Sequence, residues 1–471
     1  MEGHSASMPA FAISVAPILY AIESVLHGIQ LANGKLHKTK AFADDSKVFL
    51  SRPEEIHMVF KLIKKFEIIS GLKMHRDPTR QKCQALTFGT HRLYNQWPPW
   101  VTLTSVVKVL GVLYSNDPQQ TLEQVNSEMV KESALHQLYG AYGMRGTVMQ
   151  KIYYVNTFIL SKIWYVAQTI MLEVKMLKEL DKKMRNFIHA GENERPVQAL
   201  VYRPKDLGGL GLICPVTKSK AFLLKNMYKE WTEISANNDN DEEIYTLYGD
   251  FSDLHTVLEE ETDCTSIKEI YLSLLKQKIR KGGSLIPSRA EKKNPGIKYR
   301  IVWENVNLIK RVDPYLKYFA WGLGQDMIVV GARLHRANQR KQCQQEVEDE
   351  ETGELSVCGA IETLQHALAF CQSSRIKFEY LKSLAERFLE KSVTEEQLIF
   401  LAINHRNKKK LKTMLWVVLK SLYLIWSQRS FSLEDFRKHM GKDMFFHQQL
   451  ERWAGDRQLF NNILIKFRDN G

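Results

Sequence analysis

Lys40-Ala41-Phe42-Ala43-Asp44-Asp45-Ser46-Lys47-Val48-Phe49-Leu50 is the stretch on which the reading of this chain turns. Two β-capable runs, Lys35 to Lys40 and Lys47 to Leu50, can pair as a hairpin around Ala43-Asp44-Asp45. Adjacent carboxylates repel each other, so a bend that holds Asp44 and Asp45 outward is a natural seat for divalent cations. The plain alternative is a solvated turn, because aspartate tolerates turn geometry. The flanking sequence has to decide between them.

Downstream lies a well-marked helix. Ser51 is its N-cap, Glu54 completes a capping box, Pro53 sits in the first turn and Gly71 ends it. Ile56, Val59, Phe60, Ile63 and Phe66 fall at helical spacing, which predicts one buried face. Val106 to Tyr114 is a second β-like run. Upstream, Phe11 to Leu26 is an apolar run of helix length with Glu23 as its only charge, and Asn33-Gly34 signals a turn. From about Thr121 to Met227 the pattern is mainly helical, with an aromatic-rich helix over Tyr153 to Ile170. Leu207-Gly208-Gly209-Leu210-Gly211-Leu212 cannot sit comfortably inside a helix and reads as a loop. Ser235 to Glu243 and Lys281 to Gly296 are linker candidates, and Tyr299 to Ser430 reads as a separate, largely helical unit.

The chain has 471 residues, enough for several domains with cores of their own. Its 66 Lys and Arg against 53 Asp and Glu leave a net charge of +13, which favours a polyanionic partner through counterion release. No stretch approaches the roughly 18 consecutive apolar residues of a spanning helix, so nucleic acid is preferred to membrane. Met8 to Ile22 lacks a basic leader and is interrupted by Pro9 and Pro17, so it is read as fold rather than signal peptide. Cys83, Cys214, Cys264, Cys343, Cys358 and Cys371 are scattered, as in a reducing compartment. An intracellular protein, nuclear or cytoplasmic and not secreted, is expected.

The order of motifs is more specific than any one of them. Phe42-Ala43-Asp44-Asp45 is succeeded by a strand, the capped helix, Ser70-Gly71-Leu72-Lys73-Met74, Lys82-Cys83-Gln84-Ala85-Leu86 and Lys108-Val109-Leu110-Gly111-Val112. This series resembles the palm of LINE-type (non-long-terminal-repeat) retrotransposon reverse transcriptases, from motif C to the primer-grip hairpin. Met1 to Glu23 resembles motif B, with Gly3 near its opening glycine and Ser7-Met8-Pro9 in the small-residue segment. The resemblance implies that Asp44 and Asp45 hold Mg²⁺ for two-metal nucleotidyl transfer. It also implies that Lys82 approaches the incoming triphosphate and that Leu110-Gly111-Val112 steadies the primer end.

Lys162-Ile163-Trp164-Tyr165-Val166-Ala167-Gln168 and Val201-Tyr202-Arg203-Pro204, leading into the glycine loop, are similar to the family's thumb. Most of those aromatics read as helix core. Lys108, Lys151, Lys162, Lys182, Lys183, Arg185, Lys218 and Lys220 are the candidate nucleic-acid contacts beside Gly111, although a solvated face is the simpler account of each. Trp303, Phe319-Ala320-Trp321, Ala332-Arg333-Leu334-His335-Arg336, Cys358-Gly359, His366, Cys371 and Ile425-Trp426 resemble the zinc-binding region C-terminal to many such polymerases. Cys358, His366 and Cys371 have ligand spacing. Where the family places its first Cys this chain has Leu355, so Cys343 completes the set only if Glu346 to Glu354 loops out as an insertion.

The expected fold is α+β: an incomplete palm sheet with packed helices (1–118), a helical thumb (119–234), a linker and helical connection (235–297), a mainly helical zinc region (298–430) and a C-terminal tail (431–471). The expected function is RNA-directed DNA synthesis on an RNA template with a DNA primer or target. The family's further catalytic aspartate, upstream of motif B, and its endonuclease domain have no counterpart here, so the chain by itself is expected to be inactive. The other reading is a non-catalytic nucleic-acid-binding remnant.

Overall fold

The apolar run before the aspartates forms helix α1 (Ser7–Val25), which continues through Pro17. The computed structural model describes residues 7–30, 34–42, 45–74, 76, 82–117, 119–190, 196–235, 265–281, 284–309, 312–328, 330, 341–348 and 353–451. Gly3, Asn33, Ala43, Asp44 and Ala332 to Arg336, together with most of the first linker, lie outside the described residues. The chain divides into two units. One comprises Met1–Ser133, Lys162–Leu177 and Ser219–Ile267; the other comprises Ala134–Ser161, Lys178–Lys218 and Lys268–Gly471. The segment expected as thumb thus contributes to both.

After α1 come β1 (Ile29–Gln30), β2 (Leu36–His37), β3 (Thr39–Phe42), β4 (Asp45–Val48), α2 (Glu55–Ser70), β5 (Gln84–Ala85), β6 (Thr102–Leu103), β7 (Val106–Val109) and β8 (Val112–Ser115). Next are helices α3 (Leu122–Gly140), α4 (Val148–Tyr154), α5 (Ser161–Ala167), α6 (Val174–Ile188), α7 (Gln198–Tyr202) and α8 (Pro215–Ser235). The remainder is α9 (Ile267–Ile279), β9 (Arg280–Lys281), β10 (Ser284–Leu285), α10 (Arg289–Lys293), α11 (Tyr299–Leu308), α12 (Pro314–Gln325), β11 (Glu346–Glu348), β12 (Leu355–Val357), α13 (Gln372–Leu389), α14 (Glu395–Ile399), α15 (Lys408–Ser427) and α16 (Leu433–Glu451). Helix and sheet are mixed, as α+β requires. Among the described residues the strands form separate two-stranded ladders rather than one sheet.

In the first unit, Ile18, Ile22 and Leu26 pack with Val59 of α2, and Val48, Leu50 and Phe66 close around them. The start of α2 differs from its predicted cap. Glu54 is itself helical in conformation and makes no side-chain cap bond, and the helix opens at Glu55. The carboxylate that reaches back is Glu55, which accepts from Ser51 N at 3.2 Å and Arg52 N at 3.4 Å. The reach-back thus comes one residue later than predicted. Gly71 stops the helix in the left-handed conformation, as predicted.

Strand β8 leans on a buried amide. Asn126 of α3 accepts from Leu113 N at 2.9 Å and donates to Leu113 O at 2.7 Å, so its side chain stands in for a neighbouring strand.

In the second unit the predicted Tyr153 helix is interrupted. A π turn at Val155–Ile159 separates α4 from α5. That turn aims Asn156 at the glycine loop, where it donates to Gly211 O at 2.9 Å and accepts from Ile213 N at 3.1 Å. The loop is where a side chain would not fit. A Cβ on Gly209 would lie 1.8 Å from Arg203 O, and Gly208 (φ +82°) lies against the Trp303 indole. Gly208 O accepts from Trp321 Nε1 at 3.0 Å and Gln325 Nε2 at 2.6 Å. Helices α13 and α15 form the other half of the core, with Phe378, Leu381, Leu415 and Val418 buried. The expected C-terminal tail is in part core as well, since Phe436, Met440 and Met444 of α16 are buried.

Candidate functional site

Strands β3 and β4 pair antiparallel from Thr39↔Val48 to Phe42↔Asp45. Asp45 opens β4 and is exposed. The base of this hairpin is tied to α1. Thr39, buried, donates to Glu23 Oε1 at 2.5 Å, and Lys38 Nζ donates to Glu23 O at 2.9 Å. The one charge in the apolar N-terminal run therefore anchors the aspartate hairpin.

Lys82 is exposed just before β5, and Lys108 is exposed on β7. The turn between β7 and β8 places Leu110 at φ 47° and Gly111 at φ 85°. A Cβ on Gly111 would also come within 3.1 Å of Tyr165 Cε1, so both backbone conformation and a close ring demand glycine there.

The predicted cationic contacts separate into two kinds. Lys162, Lys182 and Lys220 are exposed. Lys151 is not available as a surface cation: it is buried, donates to Ala190 O at 2.8 Å and stands 6.0 Å from the Phe187 ring centre. Arg185 pairs with Asp181 at 3.1 Å, and Lys183 pairs with Glu179 at 3.4 Å. Lys218 stands over the Tyr271 ring, where burial holds its ammonium below the usual lysine range. Helical spacing predicts a cationic face but cannot tell a tether from a free cation. The same Asp181 accepts from Tyr202 Oη at 2.5 Å, a contact across 21 residues that leaves no local signal in the sequence.

The Cys and His residues come together in full. Cys343, Cys358, His366 and Cys371 present ligand atoms that all lie within 4.8 Å of one another, a group that could hold a metal ion. Cys343 Sγ is 3.7 Å from Cys371 Sγ, and Cys358 Sγ is 3.5 Å from His366 Nε2.

Each ligand is placed by backbone. The acidic stretch expected to loop out does so as a hairpin: β11 and β12 pair in the register Glu346↔Val357 to Glu348↔Leu355. Below it, Cys358 N bonds Gln345 O at 2.9 Å and Gly359 N bonds Cys343 O at 3.1 Å. The other two ligands flank a π turn over His366–Phe370, closed by Cys371 N to His366 O at 2.8 Å. In an α-helix, side chains five apart diverge by roughly 140°. A turn with i to i+5 bonds winds less per residue and brings them towards one side.

Burial, above all, pushes the Cys343 thiol up to about 12. Burial likewise holds the His366 imidazole below its ordinary value, against the opposing pull of Glu362. Metal binding would require the Cys343 thiol to give up its proton, so a bound cation would have to offset the burial that opposes its ionisation. Beside them Arg429 Nη1 donates to Glu362 Oε1, a pair 67 residues apart that sequence reading missed.

No helix among the described residues is long and apolar enough to cross a membrane. Neither a known family model nor a curated protein matches this chain.

Proposed function

We propose that this chain is part of an RNA-directed DNA polymerase of the LINE retrotransposon type, with Mg²⁺ carried at Asp44 and Asp45 and Zn²⁺ at Cys343, Cys358, His366 and Cys371. The observation that carries the reading is the β3–β4 hairpin, paired from Thr39↔Val48 to Phe42↔Asp45, with exposed Asp45 as the first residue of β4. A carboxylate pair at such a turn would suit ions that activate a 3′-oxygen and stabilise departing pyrophosphate. The rest of the motif order supports it: the helix stopped at Gly71, exposed Lys82, and the glycine turn at Gly111. On this reading the substrates are an RNA template and a DNA primer or target.

Zinc is favoured for the Cys and His group by both donor type and distance. Bonds of about 2.3 Å to sulfur and about 2.0–2.1 Å to nitrogen, at tetrahedral angles, separate two sulfurs by about 3.8 Å and sulfur from nitrogen by about 3.6 Å. Two of the six edges, Cys343 to Cys371 and Cys358 to His366, are 3.7 Å and 3.5 Å, and all six lie within 4.8 Å. Closed four-ligand sites of this type are structural, so the metal would brace the fold rather than react.

One observation favours a second reading, a nucleic-acid-binding protein without polymerase chemistry. Lys108, Lys162 and Lys182 are exposed, and phosphate contacts made by such cations need no carboxylate pair. Primer extension decides between the two. With Mg²⁺, an annealed RNA template and DNA primer, and a palm segment supplied in trans, the polymerase reading expects extension that Asp45→Asn abolishes. Template binding without extension in any combination leaves the binding reading and overturns the polymerase.

A further inference from the structure

A cavity of about 500 Å³ opens within the second unit, walled by α4 and its π turn, the glycine loop, α11 and α12. Five aromatic rings are among its walls, and they are not all core. Tyr153 is 64% exposed and Phe158 is 47% exposed, although helical spacing predicts burial for most of these aromatics. Trp303 and Trp321 form the opposite side. The Trp303 indole N–H is buried and has no hydrogen-bond partner among the described residues, whereas that of Trp321 is spent on Gly208.

The charge on the walls has one sign. Lys205 and Lys317 line the cavity and no carboxylate does. Lys317 is committed to helix carbonyls, donating to Val306 O and to Ile309 O at 2.8 Å. Lys205 is exposed, its stem lies along Gly211, and it has no ion pair among the described residues.

We infer that this cavity seats an unstacked base of single-stranded nucleic acid, with Lys205 against the adjoining phosphate. Exposed ring faces bind any base by stacking, and a cation without a counter-ion draws the backbone. A purely apolar occupant would answer the rings and leave the Lys205 ammonium unmet. The inference rests on the nucleic-acid reading above and adds to it a single-strand site distinct from the aspartate hairpin.

The test uses the full chain, a labelled oligo-uridine 12-mer carrying 4-thiouridine, and a duplex of equal length. Cross-linking should map to the peptide containing Tyr153 and Phe158. The double substitution Tyr153→Ala, Phe158→Ala should weaken single-strand binding on the order of tenfold or more, with duplex binding unchanged and Tyr153→Phe close to wild type. If the wild type binds neither strand form, the nucleic-acid reading falls and this site with it. If duplex binding persists while the double substitution leaves single-strand binding intact, the cavity inference alone is overturned. Sedimentation showing self-association that the substitution abolishes, with oligonucleotide binding unchanged, would assign the cavity to a second copy and also overturn it. Should the double variant fail to fold, Lys205→Ala carries the test, and unaltered single-strand affinity and salt dependence in that variant refute the site.

Discussion

At the scale of single residues, Glu55 illustrates how a side chain near a helix start acquires a pH dependence. Burial alone would raise its carboxyl pKa. Hydrogen bonds from His27, whose Nδ1 lies 2.5 Å from Oε1, and from the Arg52 backbone outweigh that and hold it below the ordinary value. A carboxyl depressed in the folded state contributes stability that is complete above its unfolded pKa and is lost as pH falls through the folded one. Wild type should therefore exceed Glu55→Gln by about 2 kcal/mol at pH 7, a typical value for a hydrogen bond to a charged group. Urea titrations should show the difference shrinking below about pH 4.5, the carboxyl's ordinary value. A difference that stays constant down to pH 3 would remove the ionised carboxylate from the account. Asn126 belongs to the same scale, because nothing in its neighbours along the chain announces that its amide will complete the edge of β8.

Elements decide the candidate metal site. Four ligands spread over 29 positions meet because one hairpin brings Cys343 beside Cys358 and one π turn brings His366 beside Cys371. The full chain should bind one equivalent of Zn²⁺. Cys343→Ser should weaken that by more than about 100-fold, beyond what changes outside the ligand shell cost. Chelation should lower the wild-type Tm while leaving that of the Ser variant nearly unmoved. Metal analysis and calorimetry read both, and zinc retained at full strength by Cys343→Ser would leave the fourth ligand elsewhere. The π turn at Val155–Ile159 works on a longer range, since it turns Asn156 towards the glycine loop and interrupts what apolar spacing alone presents as one helix.

For the whole molecule, charge sets the terms of association. A net charge of +13 predicts affinity for RNA or duplex that falls linearly with the logarithm of salt concentration. Lys108, Lys162 and Lys182 are exposed and unpaired among the described residues, so each change to alanine should flatten that slope by about one. Lys151→Ala should leave the slope alone and lower stability instead, because its ammonium is held by Ala190. Asp45→Asn should not weaken binding, as phosphate contacts do not need the carboxylate. Filter binding between 50 and 200 mM salt measures the slopes, a range over which several phosphate contacts cost orders of magnitude. Salt-independent affinity would count against the nucleic-acid partner.

By itself the sequence determined the features that local chemistry dictates. The aspartate hairpin, the helix ended by Gly71 and the loop at Gly208 were legible because turns and caps are set by residues within a few positions of each other, whereas Val106 to Tyr114 reads as one β run and is in fact split by the turn at Leu110-Gly111. Helical spacing marked which faces are apolar. Tertiary structure decided everything that depends on partners far along the chain: that Cys343 joins the ligand set, that Lys151 is a buried tether, that Tyr153 and Phe158 face an open cavity, and that the segment after 431 begins as a core helix. Periodicity records only that a face is apolar or charged. What that face meets is fixed by packing, which local pattern does not encode.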